Sequence, residues 1–281
     1  MYSPFIRHNK RAVGHTNKIK HTTSCVQTLP LVLDLVIYRI YEDVWIMIKI
    51  QGLQRISLLD YPEHIACTVF TPNCNFRCPF CHNASLVLPE KISEDFISEE
   101  YFFEFLSSRK NKLEAVCISG GEPLLQKDIE YFMEKIKKMG FLVKLDTNGS
   151  FPTLLKRLVN LGLIDYVAMD LKNSPAKYAP TAGVSSLDNE KIEESVSFLL
   201  SHVVPYEFRT TIVEEFHAAS DIEAIAKWIQ GDSKYYLQQF VDSGDLIQKG
   251  LQAPNAEKRN EFQKIAQRYV PKTKWRGAEN I

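Results

Sequence analysis

The chain has 281 residues, of which 45% are hydrophobic, so it can bury one large core or two small ones. Lys plus Arg total 34, as do Asp plus Glu, but residues 1–28 hold five of the basic residues and none of the acidic ones. The rest of the chain is therefore mildly acidic, which gives no reason to expect nucleic acid as the main ligand.

The first 46 residues differ from the rest of the chain because they show no clear hydrophobic period and hold three of the seven histidines. We expect an N-terminal extension over 1–46, either a disordered tail or sequence upstream of a natural start at Met47, and one folded domain over 47–281. We predict no membrane span in the apolar run at 29–50 because charges interrupt it, at Asp34, Arg39, Glu42 and Asp43.

A strand–helix rhythm begins near residue 64. Short apolar runs predict six strands, at Ile65–Phe70, Ala115–Ser119, Phe141–Asp146, Tyr166–Asp170, Tyr206–Val213 and Tyr235–Phe240. Helical patterns are predicted near 99–109, 128–139, 152–161, 191–202, 220–230 and 255–269. Strands that are apolar almost throughout are typical of parallel sheets covered on both faces, so we predict an α/β fold. Six units are fewer than the eight of a closed barrel, which favours a partial (β/α)6 barrel over a doubly wound sheet.

Local signals mark several helix ends. Pro152 suits the first turn of its helix, and Gly140 suits the end of the preceding one. The stretch from Ser220 to Glu223 has the pattern of a capping box, which predicts a helix start at Ser220.

Three of the six cysteines lie within eight residues, directly after the first predicted strand. Cys74, Cys78 and Cys81 have the spacing C-x3-C-x2-C. Secreted disulfide scaffolds are smaller and spread their cysteines more evenly, so we expect a metal site in a reducing, cytoplasmic compartment. Three thiolates can hold three irons of a [4Fe–4S] cluster and leave the fourth iron open. The alternative is a Cys3His zinc site completed by His82.

The cysteine loop is similar to that of the radical S-adenosylmethionine superfamily, and Cys81-His82-Asn83 resembles the activating enzymes of glycyl-radical enzymes. The segments 52–54, 57–62 and 206–211 look like one branch of these, the activating proteins of anaerobic ribonucleoside-triphosphate reductase. The resemblance runs from about Met47 to Gly277. The stretch from Gln238 to Phe240 lacks a histidine found in the pyruvate formate-lyase activating enzyme, which argues against that activity.

The resemblance implies contacts with the cofactor from two loops. In the cysteine loop these are Phe80 and His82. In the turn after the second predicted strand they are Gly120, Gly121 and Glu122, and this turn binds the amino group of the methionine moiety in the family. Glycines here would let the backbone approach the ligand closely.

The ends of the next strands carry charged residues that the resemblance places beside the cofactor. It implies that Asp146, Thr147 and Asp170 help to hold a monovalent cation, and that Lys172 pairs with the cofactor's carboxylate. Neighbouring carboxylates repel one another, which makes a cation reasonable. Each aspartate has the alternative role of a turn or helix cap.

Two further residues stand out. Arg209 interrupts an apolar strand, where a charge is costly unless it is paired, so we expect it to face the barrel interior and meet an anion. The alternative is a salt bridge at the rim. His217 lies in the following loop, and the sequence favours no functional contact for it.

The resemblance implies reductive cleavage of S-adenosylmethionine at the cluster, with electrons from flavodoxin or ferredoxin. The resulting 5′-deoxyadenosyl radical would form a glycyl radical on a partner, expected to be anaerobic ribonucleotide reductase. Two alternatives stay open: a radical enzyme acting on a small molecule or peptide, and a metal-binding protein without enzymatic activity.

Overall fold

The computed structural model describes residues 47–277. The predicted N-terminal extension over 1–46 lies outside these residues, so it stays a prediction. Among residues 47–277, no helix is long and apolar enough to cross a membrane.

One sheet of eight strands organises residues 47–277. Its strands lie side by side in the order of the chain. Strand β1 pairs antiparallel with β2, and every later pair is parallel. The strands are β1 (Gly52–Ser57), β2 (Ala66–Thr71), β3 (Ala115–Gly120), β4 (Leu142–Thr147), β5 (Tyr166–Asp170), β6 (Tyr206–Ile212), β7 (Lys234–Gln239) and β8 (Lys274–Arg276).

Helices form the connections between the parallel strands. Those described are α1 (Ala84–Val87), α2 (Glu99–Ser108), α3 (Ile129–Lys138), α4 (Pro152–Asn160), α5 (Tyr178–Thr181), α6 (Asn189–Leu200), α7 (Ala219–Trp228) and α8 (Ala256–Gln267). Right-handed β–helix–β crossovers that always advance to the next strand place successive helices on the same face of the sheet.

The strand order confirms the predicted fold class and decides between its two versions. A doubly wound sheet reverses its strand order at a switch point, whereas this sheet runs in sequence from β1 to β8. Within the described residues β1 and β8 do not pair, so the arrangement is that of an open, partial barrel. All six predicted strands and all six predicted helices occur within about two residues of their expected bounds.

Strands β1 and β8 were not predicted. β1 reads GLQRIS, which is half polar and exposed in its second half, as suits an edge strand. β8 has three residues, too few to show a period. The predicted capping box at 220–223 is wrong. Helix α7 begins at Ala219, and Asp221 accepts a hydrogen bond from the Ala218 amide at 2.9 Å, while Glu223 accepts from Tyr269 instead.

The two faces of the sheet differ in polarity. Alternate strand residues such as Val143, Leu145 and Val167 are fully buried and belong to the main core with the helices. The opposite face carries charged and polar side chains, among them Lys144, Asp146, Asp170, Glu207 and Arg209. Because side chains alternate along a strand, these polar residues share one face of the sheet. The same face continues to the carboxyl ends of β3 to β6.

Candidate functional site

Four loops at the carboxyl ends of β2 to β5 hold most of the predicted site residues. The cysteine loop follows β2, the glycine turn follows β3, the turn at 147–150 follows β4, and Lys172 follows β5. In parallel sheets these ends lie at one edge and form the usual ligand site. The predicted residues are therefore brought together, as expected.

The three clustered cysteines are close to one another and largely withdrawn from water. Burial raises the pKa of Cys74 to about 11 and that of Cys78 to about 12, and the thiols raise each other's pKa further. Burial also raises the pKa of Cys81. Thiols in such surroundings ionise when a bound cation compensates the thiolate charge, so this donor set fits an iron centre.

The zinc alternative requires four side chains that converge on a single ion. Among residues 47–277, no group of three or more His, Cys, Asp or Glu side chains is placed to hold one metal ion. A cubane cluster requires less convergence, because each thiolate binds a different iron. The expected fourth zinc ligand, His82, stacks its ring on Phe240 at 5.7 Å between centroids.

The glycine turn packs on the backbone that leads into the cysteine loop. The Gly121 amide donates to the Thr71 carbonyl at 2.9 Å, and the Glu122 amide donates to the Asn73 carbonyl at 2.7 Å. A Cβ atom at Gly120 would lie 2.3 Å from Thr71 N and O, and one at Gly121 would lie 1.9 Å from Asn73 O. The glycines are therefore required for contact between two loops, and their expected contact with a ligand stays a prediction.

The Glu122 carboxylate faces the protein interior. It is fully buried and accepts hydrogen bonds from Leu124 N at 3.1 Å, Thr147 Oγ1 at 2.9 Å and Asn148 N at 2.7 Å. Burial raises the pKa of Glu122 to about 7 although these bonds favour the ionised form. The Glu122 side chain thus holds the turn after β4 in place, and Thr147 contributes through its hydrogen bond to Glu122.

Asn148 completes the connection between these loops, and nothing in the sequence singled it out beyond its place in Asp-Thr-Asn-Gly. Its Nδ2 atom donates to Cys74 Sγ at 3.8 Å and to Asn75 Oδ1 at 2.9 Å. The Asn75 Nδ2 atom in turn donates to Ser150 Oγ at 2.9 Å. The cysteine loop is therefore held from two neighbouring strand ends.

Charged side chains alternate in sign across the strand ends beside the cysteines. Arg209 donates from Nε to Asp170 Oδ1 at 2.8 Å, and its Nη1 atom lies 3.3 Å from Asp146 Oδ2. Lys144 pairs with Asp146, and Lys172 lies 3.1 Å from Asp170 Oδ2. The expectation that Arg209 faces the sheet interior and meets anions is confirmed.

These cations determine the protonation of both aspartates. Burial alone would raise the pKa of Asp146 and Asp170, but Arg209 and a lysine beside each hold the pKa of Asp146 below the ordinary range and that of Asp170 well below it. Burial opposes the charge of Lys172, yet Asp170 and Cys78 raise its pKa above the usual value. A monovalent cation between the aspartates is not supported, because Arg209 already bridges them.

The other predicted residues lie at the edge of this site. Phe80 is buried against Phe216, with ring centroids 5.8 Å apart. Burial lowers the pKa of His82. His217 is buried, and its Nε2 atom lies 2.9 Å from the Lys172 carbonyl, so it supports the strand end. Contacts of these residues with a cofactor stay predictions.

Comparison with known proteins gives related sequences and folds. Residues 68–229 match the profile of the family described as the Radical SAM superfamily. A protein of Methanocaldococcus jannaschii that carries the name of a glycyl-radical enzyme activating enzyme is 35% identical over 230 residues, 79% of this chain and 92% of that protein. A second protein of the same organism and type of name is 26% identical over 83% of this chain and 85% of its own length.

Solved structures share the fold. TYW1 with a lysine–pyruvate adduct bound has a TM-score of 0.54 at 14% identity, over 87% of this chain and 91% of that one. SuiB of Streptococcus suis bound to S-adenosylmethionine has a TM-score of 0.58 at 14% identity, over 74% of this chain and 49% of that one. At this identity the likeness concerns the fold alone.

Proposed function

This chain belongs to the radical S-adenosylmethionine superfamily, and we propose that within it the protein activates a glycyl-radical enzyme. Cys74, Cys78 and Cys81 are the proposed ligands of its [4Fe–4S] cluster. The observation that carries the proposal is the group of three electrostatically coupled thiols at the carboxyl end of β2, of which Cys78 is buried and Cys74 and Cys81 are partly buried. The similarity to an activating enzyme over 92% of that protein's length supports the choice of reaction.

When bound, the cluster supplies the electron that cleaves S-adenosylmethionine to methionine and a 5′-deoxyadenosyl radical, which removes a hydrogen atom from the substrate. The protein's own residues hold and orient the reactants. Three cysteine ligands would leave one iron of the cluster without a protein ligand, where the amino and carboxylate groups of S-adenosylmethionine would bind. We propose that Lys172, close enough to Cys78 to influence its thiol, pairs with that carboxylate.

The strand-end ion pairs keep their charge states during turnover. Arg209 holds Asp146 and Asp170 ionised at neutral pH, so neither is a proton donor there. Instead, this rigid pattern of fixed charges is suited to orient a polar ligand in a site with little water. We propose that Phe80, His82 and the turn at 120–122 complete the cofactor site.

The proposed partner is a glycyl-radical enzyme, and the proposed reductant is flavodoxin or ferredoxin. The names of both Methanocaldococcus jannaschii relatives support the class of partner. Anaerobic ribonucleotide reductase is the candidate because the segments at 52–54, 57–62 and 206–211 resemble the activating proteins of that enzyme.

Anaerobic reconstitution with iron and sulfide tests the radical chemistry. We expect about four irons per chain and formation of 5′-deoxyadenosine from S-adenosylmethionine after reduction. Replacing Cys78 with Ala is expected to abolish that product. Cys67→Ala is the matched control, because Cys67 is also a buried cysteine but lies within β2 and packs in the main core. Normal product formation by Cys78→Ala, or a colourless zinc protein, would contradict the ligand assignment.

A second experiment tests the partner. The reduced protein is mixed with anaerobic ribonucleotide reductase and S-adenosylmethionine, and electron paramagnetic resonance is expected to show a glycyl radical on the reductase. A protein that forms 5′-deoxyadenosine but leaves the reductase and other glycyl-radical enzymes without this signal would be acting on a different substrate, such as a small molecule.

A further inference from the structure

The Asn148 side chain is oriented with its amide nitrogen toward Cys74. Its Oδ1 atom accepts from the backbone N and the Oγ of Ser150, at 2.9 and 2.6 Å. A backbone N–H can only donate, so the side-chain atom facing it is the oxygen. The Nδ2 atom therefore points at Cys74 Sγ, 3.8 Å away, and at Asn75 Oδ1.

This amide is held rigidly before any ligand binds. Asn148 is 5% exposed, and its backbone N–H is bound by Glu122 Oε2 at 2.7 Å. The next carbonyl, that of Gly149, accepts from Ser195 Oγ of α6 at 2.7 Å. A donor fixed by its surroundings needs no reorganisation when the charge on its acceptor changes.

We propose that Asn148 is a positioning residue for the cluster: its N–H···S bond to Cys74 stabilises the reduced state and raises the one-electron reduction potential. The inference rests on the proposed function, in which Cys74 is a cluster ligand. Reduction adds negative charge that the thiolate sulfurs share, and hydrogen bonds to these sulfurs are among the factors that set cluster potentials. Backbone amides also approach the sulfurs, Phe76 N at 3.3 Å from Cys74 Sγ, but Asn148 brings a side chain from another strand end.

An anaerobic redox titration followed by electron paramagnetic resonance tests this role. For Asn148→Ala we expect the equilibrium constant for cluster reduction to fall threefold to tenfold, where tenfold corresponds to about 59 mV for one electron. Asn148→Asp keeps the oxygen that accepts from Ser150 but places a carboxylate near the sulfur, so its potential is expected to fall further.

Ser195→Ala is the matched control. It removes one buried hydrogen bond from the same turn, at the Gly149 carbonyl, without removing a donor to sulfur. Its potential is expected to equal that of the wild type. A second outcome supports the positioning role as well: Asn148→Ala loses iron where Ser195→Ala keeps it, and thermal unfolding of the iron-free Asn148→Ala protein is unchanged.

Three results would overturn the inference. In the first, both Asn148 variants have the reduction potential of the wild type. In the second, Ser195→Ala shifts the potential as much as Asn148→Ala does. In the third, Asn148→Ala loses iron because it unfolds, while Asn148→Asp keeps the wild-type potential. A wild-type protein that holds no four-iron cluster would refute the proposed function itself. The titration distinguishes that failure, because such a protein has no cluster signal to titrate.

Discussion

Replacing Gly121 with Ala tests whether the glycine turn positions the cysteine loop. The added Cβ would lie 1.9 Å from the Asn73 oxygen, 2.5 Å from its carbon and 3.2 Å from the Cys74 nitrogen. Ordinary contact begins near 3.4 Å, so the two backbones must separate by about 1.5 Å. The 2.7 Å bond from the Glu122 amide to the Asn73 carbonyl is lost with that movement.

The magnitude depends on the kind of atom that must move. Overpacking against backbone costs about 1–3 kcal/mol, and a buried polar group left without its partner costs about 1–3 kcal/mol more. We expect the free energy of unfolding to fall by about 2–6 kcal/mol in total. Metal–ligand distances tolerate only about 0.2 Å, so a shift of this size next to Cys74 is also expected to remove most of the bound iron.

The assay combines thermal unfolding of the iron-free protein with iron content after anaerobic reconstitution. Gly140→Ala is the control: its φ is 92°, but no atom lies within 4 Å of the added Cβ, so only backbone strain of about 1 kcal/mol is expected. Wild-type unfolding and iron content in Gly121→Ala would refute the reasoning. Equal iron loss in Gly140→Ala would do so as well.

Two further substitutions examine the buried charges. Burial raises the pKa of Glu122 from 4.5 to about 7, so the folded state binds this proton more tightly, and its contribution to stability falls as pH rises from 4.5 to 7. Urea unfolding is expected to show that the free energy of unfolding decreases by up to about 3 kcal/mol across that window. Glu122→Gln is expected to lack this part of the decrease. A pH dependence in Glu122→Gln equal to that of the wild type would contradict the expectation. Arg209→Met leaves Asp146 and Asp170 without their shared partner and is expected to cost about 2–4 kcal/mol at pH 7. The control Arg157→Met breaks an exposed pair and is expected to cost less than about 1 kcal/mol in the same measurement; equal losses would show that Arg209 contributes no more than a surface charge.

The sequence predicted the parallel part of the fold well because the signals there are local and repeated. Strands such as Val167–Met169 are buried on both faces and read as apolar runs, while amphipathic helices and a proline or glycine mark the connections. The missed strands lack these features. β1 is exposed at the neighbouring residues Arg55 and Ile56, and β8 has only three residues, which pair with β7.

Part of the site was also visible in the sequence. Three cysteines within eight residues must lie near one another in any fold, so the donor set is a local property of the chain. Placement after a strand of a parallel sheet then locates the donors at the ligand-binding edge. The charge of Arg209 within an apolar strand likewise required an anionic partner, although the sequence did not identify that partner.

Only the tertiary structure decided what holds this donor set in place. Asn148 reaches Cys74 across 74 positions of the chain, and Glu122 reaches Asn148 across 26. Such contacts depend on the register between neighbouring strands, which single-chain patterns do not encode. For the same reason the sequence contained no sign of the loop contact at Gly121, and the resemblance implied a cation for the two aspartates. The packed strands place a backbone carbonyl against Gly121 and the Arg209 guanidinium between the carboxylates.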